Sequence, residues 1–221
     1  MANDQNLLIS ETFYSIQGES SFAGYPCAFI RLAGCNLRCT YCDSRYTYEE
    51  VGHEVSVPDL LAFTDQYPEA LVEITGGEPL VQENIYPLMT ALVDSGRTVL
   101  LETNGSLDIS RVPEKVVKIM DLKCPESGMN KQMLMENIRR LTPKDDLKFV
   151  ICSRLDYDWA TETINDHQLL GAPNGPTLIF SPALNRLEPA LMARWLLEDK
   201  LQIKMQVQLH KFLWPDKSRG V

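Results

Sequence analysis

Gly34-Cys35-Asn36-Leu37-Arg38-Cys39-Thr40-Tyr41-Cys42-Asp43 places three thiols at C-x3-C-x2-C spacing. Three thiolates on so short a loop can wrap one metal centre. A structural zinc ion wants four protein ligands, and no fourth Cys or His follows at finger-like spacing. Cys27 stands eight residues upstream of Cys35 in an apolar run, where a free Cys usually behaves as a small buried hydrophobe. A three-thiolate set suits a [4Fe–4S] cluster with one iron open to an exogenous ligand. The plainer alternative is a zinc knot completed by Cys27 or His53.

Other residues could do chemistry beside that loop. Thr75-Gly76-Gly77-Glu78-Pro79 ends an apolar run, and its two glycines would let backbone approach a ligand closely, although an isolated match of this kind is more often a turn. Arg31 sits amid Ile30, Leu32 and Ala33, a poor place for an unpaired charge. A bidentate substrate carboxylate would account for it, and so would a structural ion pair with one of the 30 acidic residues. Near the C-terminus Ile203, Met205, Val207 and Leu209 alternate with Lys204, Gln206, Gln208 and His210, which predicts a half-buried strand with His210 on its polar face. His53 and His167 lie in polar surroundings and read as surface residues.

These groups need elements to position them. Short runs rich in β-branched residues predict strands at Cys27–Ala33, Leu71–Thr75, Thr98–Glu102, Val116–Asp121, Leu147–Cys152, Thr177–Ser181 and Ile203–Leu209. Between them lie helical stripes: Ile85, Leu88, Met89, Leu92 and Val93, closed by Gly96; Leu134, Ile138 and Leu141; and Leu191, Met192, Trp195 and Leu196. Ser56 with Asp59 resembles a capping box that opens a further helix. Strands alternating with helices imply an α/β fold with a parallel sheet, either doubly wound or a partial barrel. In both, chemistry gathers beyond the C-terminal strand ends, where nearly every predicted strand delivers polar groups.

The 221 residues, with 44% hydrophobic and 23% charged, suit one folded domain over 1–221 and exclude wholesale disorder. The net charge of −9 and the lack of a basic patch argue against nucleic acid. No apolar run nears the length of a membrane span, and the start, Met1 to Asn6, lacks a basic leader-like region, so the expected compartment is the cytoplasm, where six cysteines are not expected to be disulfides.

The C-x3-C-x2-C loop followed by Gly76-Gly77-Glu78-Pro79 resembles the radical S-adenosylmethionine (SAM) superfamily. The segments Glu11–Glu19 and Pro26–Cys35, with Cys42-Asp43-Ser44, Met120–Pro125, Ser127-Gly128, Gln208–Lys211 and Gly220-Val221, narrow the likeness to the 7-carboxy-7-deazaguanine synthase family of the queuosine pathway. The resemblance implies a partial (β/α)6-type barrel with N- and C-terminal substrate-binding additions. It implies a carbon–nitrogen lyase that converts 6-carboxy-5,6,7,8-tetrahydropterin to 7-carboxy-7-deazaguanine by hydrogen abstraction at C6, ring contraction and loss of ammonia. By the same resemblance Cys35, Cys39 and Cys42 hold a [4Fe–4S] cluster, and Ser44, where the family often has Thr, holds Mg2+. SAM contacts fall to Tyr41, Cys42, Asp43, Gly77, Glu102, Asn104, Asp121, Leu122, Lys123 and Ser181. Substrate contacts fall to Ile16, Gln17, Gly18, Glu19, Arg31, Thr75 and His210; an amide such as Gln17 offers both donor and acceptor to a guanine-like edge, unless that segment is only a surface turn. A homodimer reduced by flavodoxin or ferredoxin is implied as well. Two competitors remain at this point: a glycyl-radical-enzyme activase, which shares the loop motifs, and a non-catalytic iron–sulfur or zinc module.

Overall fold

The computed structural model describes residues 6–221; residues 1–5, on which the expectation about the N-terminal start falls, lie outside them. The strands are β1 (Asn6–Ile16), β2 (Pro26–Leu32), β3 (His53–Ser56), β4 (Leu71–Gly76), β5 (Val99–Thr103), β6 (Val117–Asp121), β7 (Asp146–Ile151), β8 (Thr177–Pro182) and β9 (Lys204–Met205). They form one sheet in the order β3-β1-β2-β4-β5-β6-β7-β8-β9. Every neighbouring pair from β2 to β9 is parallel, while β1 runs antiparallel to both β2 and β3. The helices are α1 (Tyr46–Glu49), α2 (Val57–Asp65), α3 (Ile85–Asp94), α4 (Arg154–Asp166), α5 (Pro189–Glu198) and α6 (Leu209–Leu213). The parallel strands curve into the partial barrel that the family resemblance implies, one of the two arrangements the strand–helix alternation left open.

Strand alternation sorts the two faces. On β4, Val72 and Ile74 are fully buried in the main core under the helices, whereas Glu73 and Thr75 face the barrel interior. The floor of that interior is a second apolar cluster, Leu100, Val117 and Ile119, plugged by Phe22 from the β1–β2 loop. Ser21 fastens this loop beneath the barrel, donating through its backbone N and its Oγ to Asp146 at 2.7 and 2.6 Å. The Ser56 Oγ caps α2 by accepting from Asp59 N at 3.2 Å, and Gly96 takes φ +85° after α3, both as the sequence predicts.

Three expectations are corrected. The stripe Leu134, Ile138, Leu141 is a six-residue 3-10 helix, Met135–Arg140. Its buried Asn137 is turned inward to bond the Gly105 and Leu107 carbonyls at 3.1 and 2.7 Å, which spends a helical position on bracing a loop. The last strand ends at Met205 instead of Leu209. Gln206 accepts from Ser20 N at 2.6 Å and donates to Ser20 O at 2.8 Å, and Leu209 N donates to Gly18 O at 2.9 Å. The chain is thereby drawn off the sheet edge onto the β1–β2 loop, and His210 lies on α6, not on a strand. The antiparallel additions β1 and β3 were not among the predicted strands. Among the described residues no helix is long and apolar enough to cross a membrane.

Candidate active site

The three-thiol loop leaves the C-terminal end of β2 at Gly34, whose φ of +88° turns the chain and whose N–H donates to Thr47 O at 2.6 Å. Cys35, Cys39 and Cys42 all line one cavity of about 220 Å³ at the mouth of the barrel. Their backbone is pinned by Arg38, which donates to Cys35 O at 2.8 Å and stacks over Tyr48, and by Arg45 and Arg186, which both donate to Thr40 O. The six cysteines are free thiols. Burial pushes Cys39 up to about 11 against the pull of Lys123, so cluster assembly must displace protons. Cys27 is fully buried at the far end of β2, and His53 is exposed on β3; neither lines the cavity. Among the described residues no three His, Cys, Asp or Glu side chains converge as a site for a single ion. Neither candidate fourth ligand of a zinc knot, Cys27 or His53, lies beside the three thiols.

The glycine pair has a role the motif alone did not reveal. A Cβ on Gly76, which takes φ +135°, would collide with the Leu32 backbone, and one on Gly77 would collide with the Gly34 carbonyl. Gly77 N and Glu78 N then donate to Leu32 O and Gly34 O at 3.1 and 2.9 Å. The glycines let this turn dock against the root of the cysteine loop. Glu78 is fully buried and accepts from Leu80 N, Thr103 Oγ1 and Asn104 N at 3.1, 2.8 and 2.7 Å, so it joins β4 to β5. Asn104 in turn donates to Asn36 Oδ1 on the cysteine loop at 3.1 Å.

Opposite the thiols, Asp121 pairs with Lys123 at 2.8 Å, while its Oδ1 is buried without a hydrogen-bond partner. The Tyr41 hydroxyl is likewise buried and unpartnered, its ring within 5.9 Å of the Lys123 Nζ. Burial opposes the Lys123 charge, but Asp121 and Cys39 outweigh it and raise its pKa. Two buried polar atoms without a hydrogen-bond partner thus stand beside the cavity, where a polar ligand would satisfy them. Ser181 lines the same wall at the end of β8. Leu122 does not: its side chain is in the main core and its N–H donates to Lys148 O at 2.9 Å.

On the barrel side, Ile16, Gln17, Gly18, Glu19, Arg31, Thr75 and His210 all line the cavity. A Cβ on Gly18 would collide with the His210 ring, so this glycine is what admits the histidine. Burial depresses the His210 pKa, which keeps the imidazole neutral at pH 7. Arg31 donates through Nε to Glu11 at 2.9 Å, and Glu11 also accepts from Tyr46 OH at 2.9 Å. Asp43 accepts from Ser44 Oγ at 3.0 Å and from Gln208 at 3.3 Å; enclosure in the cavity opposes its charge, but these bonds outweigh it and lower its pKa.

Sequence reasoning missed two charged groups here. Lys148 on β7 pairs with Glu19, with Glu102 at 3.1 Å and with Asp121 at 3.7 Å, and Thr75 donates to the other Glu102 oxygen at 2.8 Å. Burial works against the Lys148 charge, and the three carboxylates more than offset it. Glu73 on β4, 3% exposed, accepts from the Gln17 amide. Both interrupt apolar strands as Arg31 does, and the argument applied to Arg31 would have found them.

The sequence profile of the Radical SAM superfamily matches residues 29–152. The chain is 44% identical to the 7-carboxy-7-deazaguanine synthase of Koribacter versatilis, over 96% of this chain and 99% of that protein. This chain belongs to the 7-carboxy-7-deazaguanine synthase family. The synthase of Chlorobaculum tepidum is 43% identical over the full length of both chains. Among solved structures, QueE from Escherichia coli shares the fold with a TM-score of 0.74 at 22% identity, covering 95% of this chain and all of that one. Streptococcus suis SuiB bound to its precursor peptide SuiA reaches a TM-score of 0.56 over 78% of this chain. Membership of the synthase family removes the non-catalytic module from consideration. It also ranks the activase reading behind a small-molecule lyase.

Proposed function

We propose that this chain is a radical SAM carbon–nitrogen lyase that converts 6-carboxy-5,6,7,8-tetrahydropterin to 7-carboxy-7-deazaguanine, with loss of ammonia, in queuosine biosynthesis. The observation that carries the reading is identity of 43–44% along essentially the entire length of two synthases of that name. The cavity supports it chemically, since it brings Arg31, Gln17 and His210 to the same space as the three thiols.

When bound, SAM and a [4Fe–4S] cluster supply the radical that takes the hydrogen atom from C6 of the pterin. Cys35, Cys39 and Cys42 hold the cluster. Asp121 Oδ1, Lys123, Tyr41, Asp43, Glu102, Asn104, Gly77 and Ser181 surround SAM. Ile16 to Glu19, Thr75 and His210 enclose the pterin, and the open Nη nitrogens of Arg31 receive its carboxylate. Ser44 contributes a hydroxyl oxygen to Mg2+, which favours hard oxygen ligands and keeps several non-protein ones. Lys148 fixes Glu19 and Glu102 by bonding both, so the pterin and SAM sides of the cavity are tied to one ammonium group.

The chain is proposed to act as one domain, in the cytoplasm, as a homodimer reduced by flavodoxin or ferredoxin. On a protein of net charge −9, the exposed Arg38, Arg45 and Arg186 give the cysteine loop a positive rim that suits an acidic electron carrier. Anaerobic reconstitution, followed by incubation with SAM, reductant and the pterin, tests the function. Formation of the deazaguanine, detected by mass, with four iron and four sulfide per chain, is the expected result; a loaded cluster with SAM cleavage and no deazaguanine would overturn it.

A further inference from the structure

Glu73 stands two residues before Thr75 on the inward face of β4, and the register sets it beside Phe29 of β2 and Leu100 of β5. These two cross-strand neighbours are apolar, while Glu102, Arg31, Glu19 and Lys148 lie within electrostatic reach, and a buried carboxyl is costly without a hydrogen-bond partner. The partner is Gln17, itself 4% exposed, whose Nε2 donates to Glu73 Oε2. Among the described residues no other hydrogen bond reaches the Glu73 carboxyl. The far end of the same amide is also held, with Gln17 Oε1 accepting from Glu19 N at 3.1 Å. The Gln17 backbone is fixed as well, since its N donates to Tyr25 O and its O accepts from Gly24 N, both at 2.8 Å.

A carboxamide has two orientations of nearly equal shape and opposite hydrogen-bonding sense. At its inner end the NH2 group meets Glu73 Oε2, and at its outer end the carbonyl oxygen meets Glu19 N–H, so the two contacts agree on one orientation. With the amide so turned, the remaining N–H and the remaining oxygen lone pair of Gln17 present a donor and an acceptor to the cavity in fixed order. A 2-amino-4-oxopyrimidine edge presents its own acceptor and donors in fixed order, so a flipped Gln17 would set donor against donor. We propose that Glu73 is a positioning residue that fixes the Gln17 amide and thereby makes the cavity selective for pterins carrying the 2-amino-4-oxo edge. This inference rests on reading the cavity as a pterin site and adds to it a residue that acts through another.

The test uses the reconstituted holoenzyme as wild type, Glu73→Gln, Glu73→Met and Glu73→Leu, the last two so that one apolar variant remains should the other fail to fold. KM and kcat for the reduced pterin are measured beside the calorimetric Kd of 6-carboxypterin, an unreactive aromatic analogue. The apolar variants are expected to raise KM and the analogue Kd by about tenfold, the size of one lost hydrogen bond that had oriented a ligand, with kcat and SAM affinity unchanged. Glu73→Gln keeps a carbonyl acceptor and is expected to restore both values. Wild-type KM and Kd in an apolar variant would overturn the proposal. So would a Gln variant as weak as the apolar ones, because the effect would then follow the charge or proton of Glu73 and not its acceptor. A wild type that makes no deazaguanine defeats the pterin reading itself, an outcome separable from failure of Glu73 alone.

Discussion

Arg31 and Glu11 are joined through one guanidinium nitrogen only: Nε donates to Glu11 Oε1 at 2.9 Å, and among the described residues neither Nη nitrogen makes a hydrogen bond. The two readings open to this arginine are therefore compatible. Its Nε makes a structural ion pair across β1 and β2, and the residue lines the cavity with its Nη nitrogens unengaged by the described residues. Burial disfavours the charge, while Tyr46, Glu11, Glu102 and Asp43 outweigh it and keep the pKa above normal.

Arg31→Ala is accordingly expected to weaken pterin binding far more than SAM binding, because a carboxylate left without its partner in a buried site loses roughly 2–5 kcal/mol. Uncoupled SAM cleavage should persist. Arg31→Lys can replace the Glu11 bond but not the fork, so its fold should melt like wild type while its pterin affinity stays low. Loss of SAM affinity with pterin affinity intact, measured by calorimetry, would assign the arginine to the other ligand.

Cys35→Ala, Cys39→Ala and Cys42→Ala are each expected to abolish iron loading, since two thiolates do not hold a site-differentiated cluster. Cys27→Ala, Cys124→Ala and Cys152→Ala should load four irons, as these thiols are buried. Iron and sulfide analysis after identical reconstitution decides it: an iron loss in Cys27→Ala equal to that in Cys39→Ala would mean that the ligand set has been misassigned.

The thiol loop, the glycine turn and the polar strand ends were legible because their signals are local: spacing, Cβ-free residues, and polar groups that stop apolar runs. The residues left unread owe their positions to contacts distant in sequence. Glu73 matters through Gln17, 56 residues away, and Lys148 through Glu19, 129 away, which no window of periodicity can reveal. His210 lines the cavity, but not from the strand that alternation predicted. Alternation continued past Met205 in the sequence, yet the Ser20 and Gly18 bonds peel the chain from the sheet and deliver the histidine on a helix. Leu122 packs in the main core while its sequence neighbours Asp121 and Lys123 line the cavity, a divergence that adjacency in sequence does not show.

Gly18→Ala follows from that seam. A methyl group at residue 18 would overlap His210 Nδ1 and crowd its Cγ and backbone N, so α6 must retreat or the ring must leave the cavity. Pterin KM should rise while iron content and SAM cleavage hold. Removing the ring in Gly18→Ala/His210→Ala relieves the overlap, so the double variant should bind pterin no worse than His210→Ala alone, a coupling typical of residues in contact. Wild-type pterin affinity in Gly18→Ala would show that the seam yields freely and that the histidine does not need this glycine.

The Glu73 carboxyl also fixes a stability signature. Burial is the main cause that raises its pKa well above 4.5, with Glu102 and Glu19 adding to it and Arg31 and Lys148 opposing. In the unfolded chain a glutamate ionises near its ordinary value, so folding must take up a proton at higher pH. The sign is therefore destabilising: the stability associated with the protonated carboxyl is complete below the unfolded pKa and is lost as pH rises toward the folded one. Glu73→Gln has no proton to take up. Its melting temperature should exceed that of wild type by an amount that grows as pH rises above the ordinary glutamate value, by at most about 1.4 kcal/mol per pH unit, or roughly 2–4 °C per kcal/mol for a chain of this size. Thermal melts of the two reconstituted proteins across that range check it. A difference that stays constant with pH would mean that Glu73 is already ionised in the folded protein, with Arg31 and Lys148 supplying the balance.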